Sequence, residues 1–232
     1  MSAAASATDP SGETAPVPPR PRFSIPVLHA VTSDEIVFRD DFLVVARRVM
    51  GAAGSRGAIH LRAPRLSSRV QRDLAVALVR LQEATGCWLV INDRVDVALV
   101  AGARGVQLTS RSMRVRDART VAPGLAIGAS AHASTDAESA VGEGADWLVA
   151  GRSGEVQGNG SGTPAIIGLV ERIARGCPLP VIAIGGIRPE HVGALRRAGA
   201  YGVAAIRGVW DAADAEAAVI DYLSAHDAEG IS

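Results

Sequence analysis

The small apolar run in IGASAHAS, residues 127–134, is followed by a single imidazole, His132, with Ser130 two positions before it. An imidazole changes protonation near neutral pH, so His132 is suited to proton transfer or to holding a polar substrate group. No HxH, HExxH or Cys/His cluster accompanies it, which excludes the common zinc arrangements, and Ser130 lacks a nucleophile elbow. The segment IHLRAP carries His60 and Arg62, and the Arg62 guanidinium can grip a carboxylate or phosphate in a bidentate way. INDRVD carries Asn92 and Asp93. Asp93 is a hard oxygen ligand for Mg²⁺, an orienting partner for Arg62 or His60, or a cap for a following helix. VIAIGGIRPEH places Gly185 and Gly186 where bare backbone N–H groups can approach an anion, and AIRGVW adds Arg207 and Gly208. The chemistry implied is that of a small phosphate ester held by glycines and arginine, with a histidine available.

Something must bring these scattered residues together. Short unbroken apolar runs recur: IPVLHAV from Ile25, GAIHLRA from Gly57, CWLVIND from Cys87, GVQLT from Gly105, LAIGAS from Leu125, DWLVAG from Asp146, LPVIAIGG from Leu179 and GVAAIRG from Gly202. Runs without alternation suit strands covered on both faces of a parallel sheet. Stretches of helical composition separate most of them, and AADAEAAVIDYLSAH from Ala212 supplies a last helix. Glycines in AGARGVQL, GEGADWLV and AGAYGVAA end a helix just before a strand. Eight such units predict an α/β chain folded as a (β/α)₈ TIM barrel. An open doubly wound sheet fits less well, because no GxGxxG follows the first strand. In a barrel, strand C-termini form the active face. That gathers His29 and Thr32, His60 and Arg62, Asn92 and Asp93, Gln107 and Thr109, Ser130 and His132, Gly151, Gly185 and Gly186, and Arg207 and Gly208 at one end. His29, His60 and Gln107 are read as supporting groups.

Composition sets the outer limits. With 232 residues, 48% of them hydrophobic and only 3% aromatic, the core is built from Ala, Val, Leu and Ile in a single domain. Twenty-four basic and 24 acidic residues balance, so no charge field points to nucleic acid or an acidic membrane. The chain contains no lysine, which excludes Schiff-base chemistry and a Walker phosphate loop. Cys87 and Cys177 read as buried free thiols. Residues 1–23, rich in Ala, Ser, Thr and Pro, read as a disordered tail before a barrel over 24–228. The expected localisation is cytoplasmic, with no membrane span.

The segments IHLRAP, INDRVDVAL, GARGVQLTSRSM, IGASAHA, GADWLVAG, PVIAIGGIRPEHV and AGAYGVAAIRGVW occur in the order and spacing of the thiamine phosphate synthase/TenI superfamily, which the chain resembles from about residue 25 to 225. The resemblance implies a (β/α)₈ barrel of thiamine biosynthesis, often a homodimer. It also implies one of two activities. The synthase joins a pyrimidine diphosphate to a thiazole phosphate with Mg²⁺; the TenI thiazole tautomerase aromatises a thiazole phosphate carboxylate by proton transfer, through a histidine that matches His132. Synthases typically carry QLR.K after the second strand, where this chain has HLRAP; a pair of acids after the fourth, where Arg111 and Ser112 stand; and a lysine after the sixth strand, which is missing. These departures place the chain nearer the tautomerase branch. The expected activity is then that of a TenI-like isomerase with His132 as acid–base, no cofactor, and the phosphate at Gly185, Gly186, Arg207 and Gly208. The alternatives are a thiamine phosphate synthase, with Asp93 on Mg²⁺, and a non-catalytic barrel that binds a thiamine precursor.

Overall fold

The computed structural model describes residues 22–151 and 163–228. Most of the expected tail over 1–23 and most of the loop over 152–164 lie outside these residues. Arg22 and Phe23, at the end of that tail, are in place: the Arg22 guanidinium donates to the Pro123 carbonyl at 2.8 Å, and Phe23 meets Trp88 edge-on.

The chain runs β1 (Leu28–Val31), α1 (Asp34–Val37), α2 (Phe42–Ala53), β2 (Gly57–Leu61), α3 (Ser68–Thr85), β3 (Trp88–Asn92), α4 (Val95–Ala101), β4 (Gly105–Leu108) and α5 (Val115–Val121). It continues β5 (Ala126–Ala131), α6 (Ser134–Glu143), β6 (Trp147–Ala150), α7 (Thr163–Ala174), β7 (Val181–Ile184), α8 (Pro189–Arg197), β8 (Gly202–Ala205), α9 (Arg207–Trp210) and α10 (Ala215–Asp227). All eight strands are parallel and close in sequence order, β8 pairing back onto β1. The (β/α)₈ barrel expected from the apolar runs is the observed fold.

Local chemistry sets the element ends. Ser67 caps α3 by accepting from the Val70 N–H, and Asp214 caps α10 by accepting from Glu216 and Ala217 N–H. Gly102 and Gly144 take left-handed backbone at the ends of α4 and α6, as the helix-to-strand repeats predicted.

Strand residues alternate between two cores. Leu28, Ile59, Leu89, Ile91, Val106, Ile127 and Leu148 pack outward against the helices, in one continuous cluster with residues such as Met50, Leu78 and Val192. The opposite parity turns into the barrel: Val31, Ala58, Trp88, Val90, Ala126, Trp147, Val149, Ile182 and Ala204 form a second cluster there. Trp147, fully buried, lies across this interior. Gly128 makes room for it, since a Cβ there would stand 2.1 Å from the indole. Toward the strand N-termini, Arg119 on α5 and Asp146 before β6 form a mostly buried ion pair. Asp146 also accepts from the Ile127 N–H, and Arg119 donates to the carbonyls of Leu125 and Gly144, so few of their polar atoms are left unpaired.

Candidate active site

The candidate residues gather at the C-terminal ends of the strands at two depths. Deep in the interior, His29 from β1 and His60 from β2 are each 1% exposed. His29 Nε2 lies 2.9 Å from the Pro26 carbonyl, which can only accept, so that nitrogen carries the proton. His29 Nδ1 is then a lone pair, and His60 Nε2–H donates to it at 2.7 Å. Burial holds both rings neutral: His29 is pushed down to about 4, and His60 well below its ordinary range by burial and by the neighbouring His29. Asn92 and Gln107, also buried, complete this polar layer, Gln107 donating to Ser130 Oγ at 3.3 Å. The Oδ1 of Asn92, the Oε1 of Gln107 and the indole N–H of Trp147 have no hydrogen-bond partner among the described residues. His29, His60 and Gln107 are therefore interior groups beneath the site, whereas Ser130 is half-buried near its floor.

Above this layer the side chains reach the open mouth. Arg62 follows β2 and is exposed, as are Arg111 after β4 and Arg207 after β8. None of the three guanidiniums is engaged with a described residue. Arg207 is not a strand-end residue as the sequence suggested; β8 stops at Ala205, and Arg207 opens the four-residue α9. The reading of Asp93 as a helix cap is also corrected. Arg94 takes the N-cap position of α4, with no side-chain cap bond, and Asp93 instead sits in left-handed backbone at φ 64°, with its Oδ1 accepting from Thr109 Oγ1 at 2.8 Å and from Ser112 Oγ. It pairs with neither Arg62 nor His60. His132, exposed past β5, approaches the Gly151 carbonyl at the end of β6 with Nδ1, at 2.5 Å. Because a carbonyl only accepts, Nδ1 holds the proton and Nε2 is the free ring nitrogen.

The glycine loops are shaped by neighbours. Gly185 at φ 139° and Gly186 at φ 65° carry the chain from β7 into α8, in backbone that L side chains avoid. A Cβ on Gly151 would stand 2.5 Å from Ile184, at the end of β7. Tyr222 on α10 donates its hydroxyl to the Ile187 carbonyl at 2.6 Å, which ties α10 to the β7 loop.

Mg²⁺, implied for the synthase chemistry, can be tested against this donor set. Asp93 with the Thr109 and Ser112 hydroxyls is a hard-oxygen group, while no cluster of three or more His, Cys, Asp or Glu side chains forms among the described residues. Mg²⁺ ordinarily takes one or two carboxylates and fills its remaining positions with water and substrate phosphate. The residues fit an ion shared with a phosphorylated substrate.

Sequence reasoning had not found the hold of Thr109 and Ser112 on Asp93, nor that of Tyr222 on the β7 loop. Hydroxyl residues three apart in LTSRS are a usable signal for the first; nothing local announces the second.

Comparison with known proteins fixes the kinship. The family model described as thiamine monophosphate synthase matches residues 28–209. The chain is 36% identical over 212 residues to the thiamine-phosphate synthase of Methanoculleus marisnigri, covering 88% of this chain and 98% of that one. It is 34% identical over 184 residues to a putative thiamine-phosphate synthase of Geobacter sulfurreducens, covering 78% and 85%. Among solved structures, thiamine phosphate pyrophosphorylase from Pyrococcus furiosus superposes with a TM-score of 0.76 at 28% identity, covering 88% of this chain and 96% of that one. These likenesses overturn the expected tautomerase branch and its isomerase activity: the relatives are synthases, although the acids after β4 are replaced. The chain belongs to the thiamine monophosphate synthase family.

Proposed function

We propose that this protein is a thiamine-phosphate synthase, a transferase that joins a pyrimidine diphosphate to a thiazole phosphate and releases diphosphate. The observation that carries the reading is that Arg62, Arg111 and Arg207, exposed and unengaged among the described residues, follow β2, β4 and β8 at the barrel end that also holds Asp93 and the Gly185–Gly186 turn. One monophosphate and one diphosphate bring more negative charge than a single anion pocket needs, and three exposed arginines answer it.

In the reaction the bond between the pyrimidine methylene carbon and the diphosphate oxygen breaks, and the oxygen keeps the electron pair. The thiazole nitrogen supplies the pair for the new carbon–nitrogen bond, so no proton has to leave the nucleophile. The protein's tasks are therefore to bind, to align and to stabilise a departing anion. The backbone N–H groups at Gly185 and Gly186, with Arg207 and Gly208, take the thiazole phosphate. Arg62 takes the diphosphate end, and Asn92, Ser130 and Gly151 line the floor. Asp93, supported by Thr109 and Ser112, would hold Mg²⁺. When bound, that ion neutralises charge on the diphosphate. His132 offers Nε2 as a hydrogen-bonding nitrogen fixed in direction by its Gly151 contact.

Mixing the purified chain with pyrimidine diphosphate, thiazole phosphate and Mg²⁺ tests the reading. Thiamine phosphate is expected as product, with turnover lost when Mg²⁺ is chelated. No product at high protein concentration rejects the activity.

A further inference from the structure

Thr32 stands one residue beyond β1 and is fully buried. Its N–H donates to the His60 carbonyl at 3.0 Å, which extends the β1–β2 ladder by one step. The chain then turns away at once, because α1 begins at Asp34. On its β1 side, β2 is thereby left without a strand neighbour at the point where Arg62 must be placed. The Thr32 hydroxyl fills that gap. It accepts from the Arg62 N–H at 2.9 Å and donates to the Arg62 carbonyl at 3.1 Å. One side-chain oxygen bonds both backbone groups of Arg62, as a strand residue would, and the Arg62 N–H is shared with the His60 carbonyl at 3.1 Å. The Arg62 side chain itself is exposed and engages no described residue. The geometry is that of a rigid base under an exposed cationic head.

We infer that Thr32 is a positioning residue for substrate binding: its hydroxyl fixes the Arg62 backbone and so aims the guanidinium at the diphosphate. This rests on the proposed role of Arg62. Pre-setting the base lowers the ordering cost that a flexible arginine bears on binding. The loss of the hydroxyl therefore weakens binding more than it slows the chemical step.

Steady-state kinetics on the full chain with Thr32→Val, Thr32→Ser, Arg62→Ala and the Thr32→Val/Arg62→Ala double variant test it. Arg62→Ala is expected to raise KM for the pyrimidine diphosphate. Thr32→Val is expected to raise the same KM by about three- to tenfold, with kcat within about twofold, which matches the loss of one or two net hydrogen bonds. Thr32→Ser keeps the oxygen and is expected to restore KM. In the Arg62→Ala background, Thr32→Val is expected to add nothing further. An unchanged KM in Arg62→Ala overturns the role of Arg62, and this inference with it. A raised KM in Arg62→Ala beside an unchanged one in Thr32→Val, or a Thr32→Val effect that persists in full without Arg62, overturns the positioning role alone. Amide hydrogen exchange at Arg62 gives a readout independent of turnover: it is expected to quicken in Thr32→Ala and not in Thr32→Ser. Equal exchange in both overturns the proposal even where Thr32→Val fails to fold.

Discussion

The hydroxyl of Tyr222 occupies the space that a side chain on Gly208 would need: a Cβ built on Gly208 falls 2.2 Å from it. The same hydroxyl donates to the Ile187 carbonyl, so a single phenol on α10 sets the approach of the β7 and β8 loops. Burial pushes that phenol up to about 12, which keeps it a donor at all working pH values. Gly208→Ala is expected to destabilise the chain by about 1–3 kcal/mol through overpacking, and Tyr222→Phe by about 1 kcal/mol through the lost hydrogen bond. Because phenylalanine removes the clashing atom, the double variant is expected to lose less than the sum. Urea unfolding of the four chains measures this, and strict additivity would refute the steric link.

The paired imidazoles of His29 and His60 make stability depend on pH. Both are held below the ordinary value of 6.5 in the folded chain, by burial above all. Below pH 6.5 the unfolded chain takes up protons that the folded chain resists. Their contribution is thus fully present above about pH 7 and is lost progressively as pH falls below 6.5, for His29 down to about 4. Urea midpoints measured from pH 7.5 to 5 are expected to fall, and to fall less steeply in His29→Leu/His60→Leu. Parallel pH slopes in the two chains would contradict the assignment.

At Asp93 the backbone and the carboxylate make separable demands. Asparagine tolerates left-handed backbone nearly as well, so Asp93→Asn is expected to fold normally while turnover drops at least about a hundredfold, because the neutral amide would no longer supply the negative charge to hold the proposed Mg²⁺. Asp93→Ala is expected to cost about 1–2 kcal/mol of stability in backbone strain, which Asp93→Gly avoids. Thermal unfolding beside product formation separates the two effects. Full activity in Asp93→Asn would remove Asp93 from the site.

Breaking the Arg119–Asp146 pair strands a buried charge. Asp146→Ala is expected to lower stability by about 3–5 kcal/mol, and Arg119→Leu/Asp146→Leu by less than that single change. Denaturant titration decides it; a change below about 1 kcal/mol would place the pair among surface bridges of little consequence.

The eight strands were legible because parallel strands covered on both sides must be apolar throughout, and each run from IPVLHAV to GVAAIRG is. Which polar residues end them was legible too, but not their depth. His29, His60 and Gln107 share the inward parity of Arg62 and Ser130, yet they lie sealed within the barrel. Depth depends on the stagger between neighbouring strands and on the Trp147 ring across the interior, and neither is a local property of sequence. The missing acids after β4 pointed to the wrong branch for a related reason. Residue type showed that a carboxylate was gone, but not that Ser112 turns its hydroxyl onto Asp93. Arg207 was misplaced because VAAIRG stays apolar for one residue beyond the strand's actual end.

Gly202, whose Cβ would stand 2.2 Å from the Val27 carbonyl, marks where β8 is drawn onto β1. That seam joins the first barrel strand to the eighth, so during translation the growing sheet has two raw margins until the β8 segment has emerged from the ribosome. Closing the ring is the act that removes both, and its timing sets how long a nascent molecule stays adhesive to its neighbours.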